Sequence, residues 1–447
     1  MIDVNYNEKF RKFFKKFSKQ YSLSTDKDEK KFLWDLAVDF VETNRDFVMQ
    51  YPIAQYWSSI WTEEKDSLEN LFFEEYNWKD INLYFHIPFC KTRCTYCNFH
   101  IVVWDWSKEL MTQIYITKLK KEIDLFTEKV TNYNIKTIFI WWWTPSYLDE
   151  KPLEDLLKYI NLKLWNNFDD ELEFSFEWNP DSFNENKLTI LKKYKVNRLS
   201  FWVQTFNNQI TEKINRTYTD VIVFDIIKLA RKIWFKNINV DMIYGLPWQD
   251  YLCMKKDLEI VSKLEVEHIT YYPLYYYDES IVTQIDWRED NIKQIYSFYD
   301  EVIDKLKNNN FNQYWREYFS KWDKISHYQN NFVWNGYLYW FWQSAYSFNK
   351  KYAFKKNENL KQYLIDNNNL IHYYKYDNEN INRRLFVLWS RNIKIEKDKL
   401  EDIESVEKIR ELIKIPLTMW LIKEDNDSFY LTDKWLKYQE ILAHMIV

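Results

Sequence analysis

The sequence predicts an α/β fold, an open and partial (βα)6 barrel of parallel strands. Two features of its 447 residues lead to this prediction. Short apolar runs alternate with amphipathic helical patterns between residues 81 and 280, which is typical of βα units around a parallel sheet. The runs are also apolar along nearly their whole length, as expected of strands that helices cover on both faces. A closed barrel needs eight units, and only six are evident.

The elements follow one another along three predicted regions. The six predicted strands are residues 81–87, 135–140, 171–177, 197–204, 237–244 and 268–275. Apolar side chains recur at helical spacing in the segments between them, including 110–130, 151–164, 220–233 and 253–265. We predict a helical N-terminal extension over 1–80, a core over 81–300 and a C-terminal region over 301–447. The last region ends in a pattern of strand, polar turn, strand and helix, which predicts a small α+β, winged-helix-like unit.

Composition and charge argue against nucleic-acid-binding, secreted and membrane-spanning proteins. The net charge is −5 and the pI about 5.9, so no strongly basic surface argues for a nucleic-acid partner. The N-terminus is charged throughout, unlike a signal peptide, and no apolar run approaches the ~20 residues of a membrane span. Of the four cysteines, three are clustered and none shows a disulfide-like spacing. We therefore predict no membrane span and a cytoplasmic, reducing location.

The strongest motif is a group of three cysteines directly after the first predicted strand. Cys90, Cys94 and Cys97 have the spacing CxxxCxxC. Three thiolates so close can bind three irons of a [4Fe–4S] cluster and leave the fourth iron open. S-adenosylmethionine (SAM) could chelate that iron, and an electron from the cluster could then cleave SAM to a 5′-deoxyadenosyl radical. The alternative is a zinc site with His100 as fourth ligand, although this spacing is not the usual one for zinc.

Polar side chains cluster where the predicted strands end. They are Thr144 and Ser146 after the second strand, Glu177 and Asn179 at the third, Gln204 at the end of the fourth, Arg216 beyond it, and Asp241 in the fifth. Active sites in parallel barrels lie at the C-terminal ends of the strands. Each residue alone is as readily explained by a cap or a buried hydrogen bond, but together, beside a three-cysteine loop, they predict a site. Cys253 stands alone in a helical pattern and is predicted to be a buried structural thiol.

Several motifs, taken in order, resemble one known family. "LYFHIPFCKTRCTYCNF", "TPS", "ExNP", "NRLSFWVQTF", "NVDMIYGLP" and "YSF" are similar to the radical SAM family of oxygen-independent coproporphyrinogen-III oxidases and their heme-chaperone relatives. The resemblance covers residues 81–348 well and the last seventy residues loosely. It implies a TIM-like radical SAM barrel, a [4Fe–4S] cluster, SAM, and a tetrapyrrole or heme as partner. A reduced flavodoxin or ferredoxin is the implied electron donor.

The resemblance also implies a role for each matching residue. Cys90, Cys94 and Cys97 match the cluster ligands, and Tyr84 and Tyr96 match residues that flank cluster and SAM. The loop that binds the methionine part of SAM is matched by Trp142, Trp143 and Thr144. The remaining SAM contacts are matched by Glu177, Gln204, Arg216 and Asp241, with Asp241 on the ribose.

Three functions remain open at this level. The first is a coproporphyrinogen-III oxidase-like oxidoreductase that cleaves SAM. The second is a heme-binding chaperone, since Phe99 stands where true oxidases carry a further cysteine. The heme motif of that branch is matched only by His327 in "HYQNNFVW", which makes His327 the candidate heme ligand. The third is a radical SAM methyltransferase that uses a second SAM.

The counts of glycine and tryptophan are abnormal. The chain has 2 glycines and 23 tryptophans. In "WWWTPS" (Trp141 to Ser146), "LSFWVQTF", "IWFKNINVD" and "GLPWQ", tryptophan stands where the resembling family uses glycine. Glycine in such loops permits positive φ and a close approach of the backbone to a ligand, which tryptophan does not. Because the codon UGA is read as glycine in some bacterial lineages and as tryptophan in others, we hypothesise that most of the 23 tryptophans are glycine in the native protein.

Overall fold

The predicted parallel strands are all present, so the predicted α/β fold is confirmed. The computed structural model describes residues 58–59, 65–97, 101–103, 108–141, 147–182, 184–275, 281, 289–322, 324–334, 336–365, 370–377, 381, 384, 388–400, 403–418, 420–437 and 439. The six predicted strands lie side by side and parallel, in the order in which they occur in the chain. Their observed limits differ from the predicted ones by three residues or fewer.

The strands divide into one large sheet and two small ones. In chain order they are β1 (Ser58–Ser59), β2 (Lys79–His86), β3 (Phe89–Cys90), β4 (Val102–Val103), β5 (Tyr133–Trp141), β6 (Phe168–Trp178), β7 (Arg198–Gln204), β8 (Ile238–Tyr244), β9 (His268–Pro273), β10 (Asn312–Gln313), β11 (Tyr318–Ser320), β12 (Leu338–Phe341), β13 (Tyr346–Phe348), β14 (Tyr352–Lys356), β15 (Leu370–Lys375), β16 (Lys394–Glu396), β17 (Ile422–Glu424) and β18 (Ser428–Leu431). The large sheet has thirteen strands in the order β1-β15-β14-β13-β12-β2-β5-β6-β7-β8-β9-β11-β10. Over the described ranges this sheet stays open, with β1 and β10 at its edges.

The helices follow the predicted alternation. They are α1 (Lys65–Glu74), α2 (Lys108–Lys129), α3 (Glu150–Leu164), α4 (Glu185–Lys193), α5 (Asn208–Lys213), α6 (Asp220–Lys232), α7 (Tyr251–Ser262), α8 (Glu289–Asn308), α9 (His327–Trp334), α10 (Leu360–Ile365), α11 (Ile403–Leu412), α12 (Lys414–Thr418) and α13 (Asp433–Lys437). In α3 the buried residues Leu153, Leu156, Leu157, Ile160 and Leu164 recur at helical spacing, which gives the helix one apolar face for the core. None of the described helices combines the length and the apolar character needed to cross a membrane.

Local signals in the sequence explain where several helices begin. The side chain of Asn184 accepts a hydrogen bond from the backbone N–H of Lys187 at the start of α4. Asp250 does the same for the N–H of Cys253 at the start of α7. These N-caps satisfy donors that have no partner inside the first turn of a helix. The helices therefore begin where the sequence supplies a short polar acceptor.

A seventh parallel strand joins the core from the C-terminal half of the chain. β12 lies beside β2 and pairs with it in parallel, from Leu338 opposite Asn82 to Phe341 opposite Phe85. The sequence prediction did not include this strand, because its residues belong to an aromatic run with no adjoining βα pattern. The hydroxyl of Tyr76, in the turn after α1, donates to the backbone oxygens of Leu338 and Phe348, each at 2.8 Å. The turn after α1 is thus bonded directly to β12 and β13, which come from the C-terminal half of the chain.

The C-terminal residues form a separate small sheet with helices. β16, β18 and β17 make an antiparallel sheet in that order, next to α11, α12 and α13 in the chain. The predicted succession of strand, polar turn, strand and helix is present as β17, β18 and α13.

Residue 300, the predicted end of the core, lies inside α8, and strands after it join the large sheet. Where the chain divides into domains stays a prediction.

Candidate functional site

The three cysteines lie in a buried loop at the C-terminal end of β2. Cys90, Cys94 and Cys97 are 4%, 8% and 1% exposed and belong to one buried cluster with Tyr84 and Phe139. Cys90 ends β3, which pairs in parallel with β4. An apolar environment of this kind excludes water from the thiols, as a cluster site requires.

The loop is held against the segment that follows α5. The hydroxyl of Thr92 donates to the backbone oxygen of Asn215 at 2.8 Å, and the Nδ2 of Asn215 donates to the oxygen of Arg93 at 2.8 Å. The backbone N–H of Thr95 donates to the oxygen of Ile214 at 3.3 Å. Two segments more than one hundred residues apart are therefore fixed to each other. This brings Arg216 to the cysteines.

Arg216 is the buried centre of the site. Its Nη1 donates to the hydroxyl of Tyr96 at 3.0 Å and lies 3.6 Å from the Sγ of Cys94. Its Nη2 donates to the Oδ1 of Asn179 at 3.0 Å and to the backbone oxygen of Trp202 at 2.7 Å. One planar guanidinium thus links the cysteine loop to the ends of β6 and β7. The sequence predicted Arg216 and Asn179 separately, and the structure brings them together.

Tyr84 lies among aromatic rings beside the cysteine loop. Its ring centroid is 5.9 Å from that of Trp141 and 4.6 Å from that of Trp340, and its hydroxyl is 3.0 Å from the Nδ1 of His86. Burial raises the pKa of Tyr84 well above its usual value, and burial does the same for Tyr96. Both phenols are therefore neutral at physiological pH and act as hydrogen-bonding groups rather than charges.

The ends of β6 and β7 contribute two further predicted residues. Glu177 is buried near the end of β6 and lies opposite Ser200 of β7. Gln204 ends β7 with φ of 62°, a strained conformation for a residue other than glycine. Its Oε1 is buried and has no hydrogen-bond donor among the described residues. A buried amide oxygen of this kind fits a ligand that donates a hydrogen bond to it.

Asp241 is buried in β8 and is held by both of its carboxylate oxygens. The hydroxyl of Ser200 donates to Oδ2 at 2.7 Å, and the Nδ2 of Asn239 donates to Oδ1 at 2.9 Å. Burial raises the pKa of Asp241 above its usual value, although these hydrogen bonds oppose the shift. A carboxylate in an apolar strand is costly unless it is paired, and these two hydrogen bonds supply its partners.

Sequence reasoning missed Ser200 and Asn239, although a signal was present. Residues two apart in a strand face the same side of the sheet. Asn239 and Asp241 therefore share one face of β8, and Ser200 lies opposite Asn239 on β7. Polar residues at a spacing of two inside apolar strands indicated a common polar group.

The other predicted residues either fall outside the described part of the chain or differ from the prediction. Trp142, Trp143, Thr144 and Ser146, as well as Phe99 and His100, fall outside the described residues. The side chain of His327 is exposed, and its backbone N–H donates to Glu173 at 2.8 Å. The prediction that Cys253 is a buried thiol was wrong, because its side chain is only half-buried, on the exposed turn that Asp250 caps.

The donors at the site are of the type that binds an iron–sulfur cluster. No three His, Cys, Asp or Glu side chains of the described residues are grouped closely enough to hold one metal ion. A [4Fe–4S] cluster binds each thiolate through a different iron, so its cysteines do not meet at one point. The three buried thiols fit the ligand set of such a cluster, and the buried oxygen of Gln204 at the end of β7 fits a polar ligand.

Comparison with known proteins agrees with this geometry. Residues 84–260 match the family model of the radical SAM superfamily. Over 249 residues the chain is 35% identical to the heme chaperone HemW of Lactococcus lactis, which is 53% of this chain and 61% of that protein. Over 223 residues it is 32% identical to the oxygen-independent coproporphyrinogen III oxidase of Helicobacter pylori, which is 49% of this chain and 48% of that protein. The chain thus spans about half to three fifths of the length of these relatives.

A solved structure shows the same fold over almost the whole chain. Coproporphyrinogen III oxidase (HemN) from Escherichia coli, described as a radical SAM enzyme, matches with a TM-score of 0.77. The match covers 92% of this chain and 98% of that one at 20% identity, so the likeness is one of fold. The superfamily match implies a [4Fe–4S] cluster and SAM as cofactors. Residues 84–260 of this chain are therefore a radical SAM domain.

Proposed function

We propose that this protein binds a [4Fe–4S] cluster through Cys90, Cys94 and Cys97, cleaves SAM reductively and acts on a tetrapyrrole, as an oxygen-independent coproporphyrinogen-III oxidase-like enzyme. The observation that carries the proposal is the linkage of the cysteine loop to the strand ends through Arg216. Two of the relatives supply the substrate class, since their names specify coproporphyrinogen III and heme.

The residues around the loop take distinct proposed roles. Cluster and SAM, when bound, supply one-electron chemistry that starts a radical reaction. Arg216 orients Tyr96 and the loop by its four contacts, while Tyr84 and Phe139 form an aromatic wall that excludes water. The SAM-binding residues proposed from the described part are Glu177, Gln204, Arg216 and Asp241. Trp142, Trp143 and Thr144 complete the proposed set.

The test is anaerobic reconstitution of the full chain with iron and sulfide. We expect a [4Fe–4S] absorption, and after one-electron reduction with dithionite an electron paramagnetic resonance signal, both of which the variant with Cys90, Cys94 and Cys97 changed to alanine lacks. A matched control is Cys253→Ala, because Cys253 lies outside the loop and should leave the iron content unchanged. Release of 5′-deoxyadenosine from SAM after reduction, followed by decarboxylation of coproporphyrinogen III, would support oxidase activity. Iron bound equally by the triple variant would contradict the proposal.

A second candidate function is heme delivery, which the HemW relatives favour. The exposed side chain of His327, at the start of α9, is accessible to an external ligand. Stoichiometric heme binding without turnover of coproporphyrinogen would favour this function. We expect His327→Ala to abolish the heme Soret shift if the chaperone function is correct, whereas His372→Ala, in β15, should leave it unchanged.

A further inference from the structure

A chain of hydrogen bonds runs from the base of β9 to Asp241. The Nδ1 of His268 lies 2.5 Å from the Oδ1 of Asn239, and the Nε2 of His268 lies 2.6 Å from the hydroxyl of Tyr314. Asn239 in turn donates from Nδ2 to Asp241 and to the hydroxyl of Ser200. His268 and Asn239 are both buried.

The donor and the acceptor of each hydrogen bond in this series follow from the groups at its two ends. The carboxylate of Asp241 only accepts, so the amide nitrogen of Asn239 faces it and the amide oxygen faces His268. That oxygen requires a donor, so His268 carries its proton on Nδ1. Nε2 then accepts from the hydroxyl of Tyr314, which itself accepts from the backbone N–H of Ser326 at 3.0 Å. Burial lowers the pKa of His268 well below its usual value, in agreement with a neutral ring.

We infer that His268 is a positioning residue for SAM binding, which fixes the Asp241 carboxylate through Asn239. The inference rests on the proposed function, since it takes Asp241 as the contact to the ribose. The hydroxyl of Thr270 also donates to the amide oxygen of Asn239, at 3.1 Å, so His268 supplies the shorter of two contacts to that oxygen. Without the histidine, only Thr270 holds the oxygen in place, and the amide of Asn239 rotates more readily to present its oxygen to Asp241. That orientation repels the carboxylate and turns it from the ribose hydroxyls, which need an acceptor at a fixed place.

The test measures SAM affinity of the reconstituted full chain by equilibrium dialysis. His268→Leu should weaken SAM binding about tenfold, the equivalent of one lost hydrogen bond to a charged group. His268→Asn should restore most of the affinity, because its amide can donate to Asn239 from a position near that of Nδ1. Iron content should stay the same in both variants.

A double-mutant cycle separates this inference from the proposed function. Asp241→Ala should weaken SAM binding, and adding His268→Leu should cause no further loss, because His268 acts only through Asp241. If Asp241→Ala leaves SAM affinity unchanged, the proposed ribose contact is wrong. If Asp241→Ala weakens binding but His268→Leu does not, or if the two losses add, the positioning role is overturned. Should His268→Leu not fold, Tyr314→Phe removes the donor to Nε2 and should weaken SAM binding several-fold; unchanged affinity would refute the role.

An independent inference comes from the backbone conformation of the tryptophans. Among the described residues, ten other than glycine have positive φ, and five of these are tryptophan. They are Trp78 (φ 64°), Trp234 (φ 68°), Trp248 (φ 64°), Trp322 (φ 52°) and Trp420 (φ 57°). Positive φ is rare for any residue with a Cβ and an outlier for a bulky one. Tryptophan is only 23 of 447 residues, so abundance does not explain this share.

Two of these positions end helices in the way that glycine does. After α6, the N–H of Trp234 donates to the oxygen of Arg231 at 2.9 Å, and the N–H of Phe235 donates to that of Ala230 at 3.1 Å. The same pair of bonds follows α12, with Trp420 at the equivalent place. This is the Schellman motif, whose left-handed residue is usually glycine.

A third position is the left-handed residue of a turn. The N–H of Gln249 donates to the oxygen of Leu246 at 3.0 Å, with Pro247 and Trp248 between them. A turn with proline second and positive φ third is of type II, and its third residue is characteristically glycine.

The side chains offer little compensation for the strain, since the only cationic or aromatic contacts of their rings among the described residues are Lys213 over Trp248 at 5.3 Å and Lys321 over Trp322 at 5.9 Å. Trp78, Trp234, Trp248, Trp322 and Trp420 are 80%, 73%, 47%, 73% and 73% exposed. Large aromatic rings normally stabilise a fold by burial, whereas four of these side chains are mostly in water and that of Trp248 is about half so. The backbone at these places therefore suits glycine, and the tryptophan side chains contribute little.

The geometry points to glycine at these five positions in the protein as its own cell makes it, encoded by one reassigned codon. Reading the gene should give UGA at all five, and peptides of the native protein should have the mass of glycine there. UGG codons, or tryptophan in native peptides, would overturn the inference. As a physical check, Trp234→Gly should raise the thermal midpoint by a few degrees, whereas Trp165→Gly, an exposed position with φ of −51°, should not. Equal effects of the two would count against glycine at residue 234.

Discussion

At the scale of single residues, the site depends on few side chains with several partners each. Arg216 contacts a thiol and a phenol of the cysteine loop, an amide oxygen after β6 and a backbone oxygen of β7. Its substitution therefore removes contacts that hold three segments at once. A sequence motif identifies such a residue, but only the structure shows how many segments it links.

We expect Arg216→Lys to lower the free energy of unfolding by about 2 kcal/mol, because an ammonium cannot reproduce the planar fork of donors in a buried site. The measurement is chemical denaturation of the chain without iron. Arg231→Lys is the matched control, since Arg231 pairs with Glu267 near the surface, where water replaces lost partners. An equal loss in both variants would show that Arg216 has no special role in holding the loop.

At the scale of elements, the parallel strands were predictable because burial on both faces makes them continuous apolar runs. β12 was not, since its place beside β2 depends on a pairing more than two hundred residues away. The same holds for the site. Cys90, Cys94 and Cys97 share a local motif, whereas the roles of His268 and Asn239 follow from contacts between strands. Local patterns predict elements, and long-range register decides which polar groups meet.

The start of α9 depends on one buried carboxylate from β6. Glu173 accepts hydrogen bonds from the N–H groups of His327 and Tyr328 at 2.8 and 3.1 Å, and from the hydroxyl of Ser326 at 3.2 Å. We expect Glu173→Gln to reduce stability by about 1–2 kcal/mol, as loss of a cap does, and to speed hydrogen exchange in residues 327–334. Glu171→Gln, an exposed neighbour on the same strand, should change neither. Unchanged exchange in the first variant would contradict the capping role.

A buried aspartate in α7 makes stability depend on pH. Asp257 accepts from the hydroxyl of Thr205 at 2.6 Å and from the N–H of Phe206 at 2.8 Å, and burial raises its pKa from 3.8 to about 6. The folded protein thus holds a proton that the unfolded chain releases near pH 4. Asp257 therefore contributes on the order of 3 kcal/mol to the free energy of unfolding below pH 4. This contribution is lost as the pH rises through about 6. Urea titrations at several pH values should show this slope in the native chain and not in Asp257→Asn.

At the scale of the whole molecule, the large sheet unites regions that the sequence suggested were separate. β11 covers β9 at one side of the six parallel strands, and β12 covers β2 at the other. Both covering strands come from beyond residue 300. Exposed strand edges promote association between chains. The parallel core therefore depends on the C-terminal half for its protection.

We expect a fragment of residues 58–300 to be aggregated or oligomeric, because both edges of its parallel sheet lack their covering strands. A fragment of residues 58–377 retains every strand of the large sheet and should remain soluble with a cooperative melt. Size-exclusion chromatography and circular dichroism distinguish the two. A monomeric, cooperatively folding 58–300 fragment would instead support the predicted division at residue 300.

The positive φ of Trp78 bears on how the protein can be obtained. Most laboratory hosts read UGA as a signal to end translation, so the unaltered gene would yield a chain released at Trp78 or earlier. Such a product ends before Cys90 and contains no part of the site. A synthetic gene with tryptophan codons would instead give a full-length chain that is strained at each left-handed position. If either product lacked activity, the cause could be the way the host reads UGA and not the chemistry of the protein. Only a gene rewritten with glycine codons would give a chain whose activity can be tested.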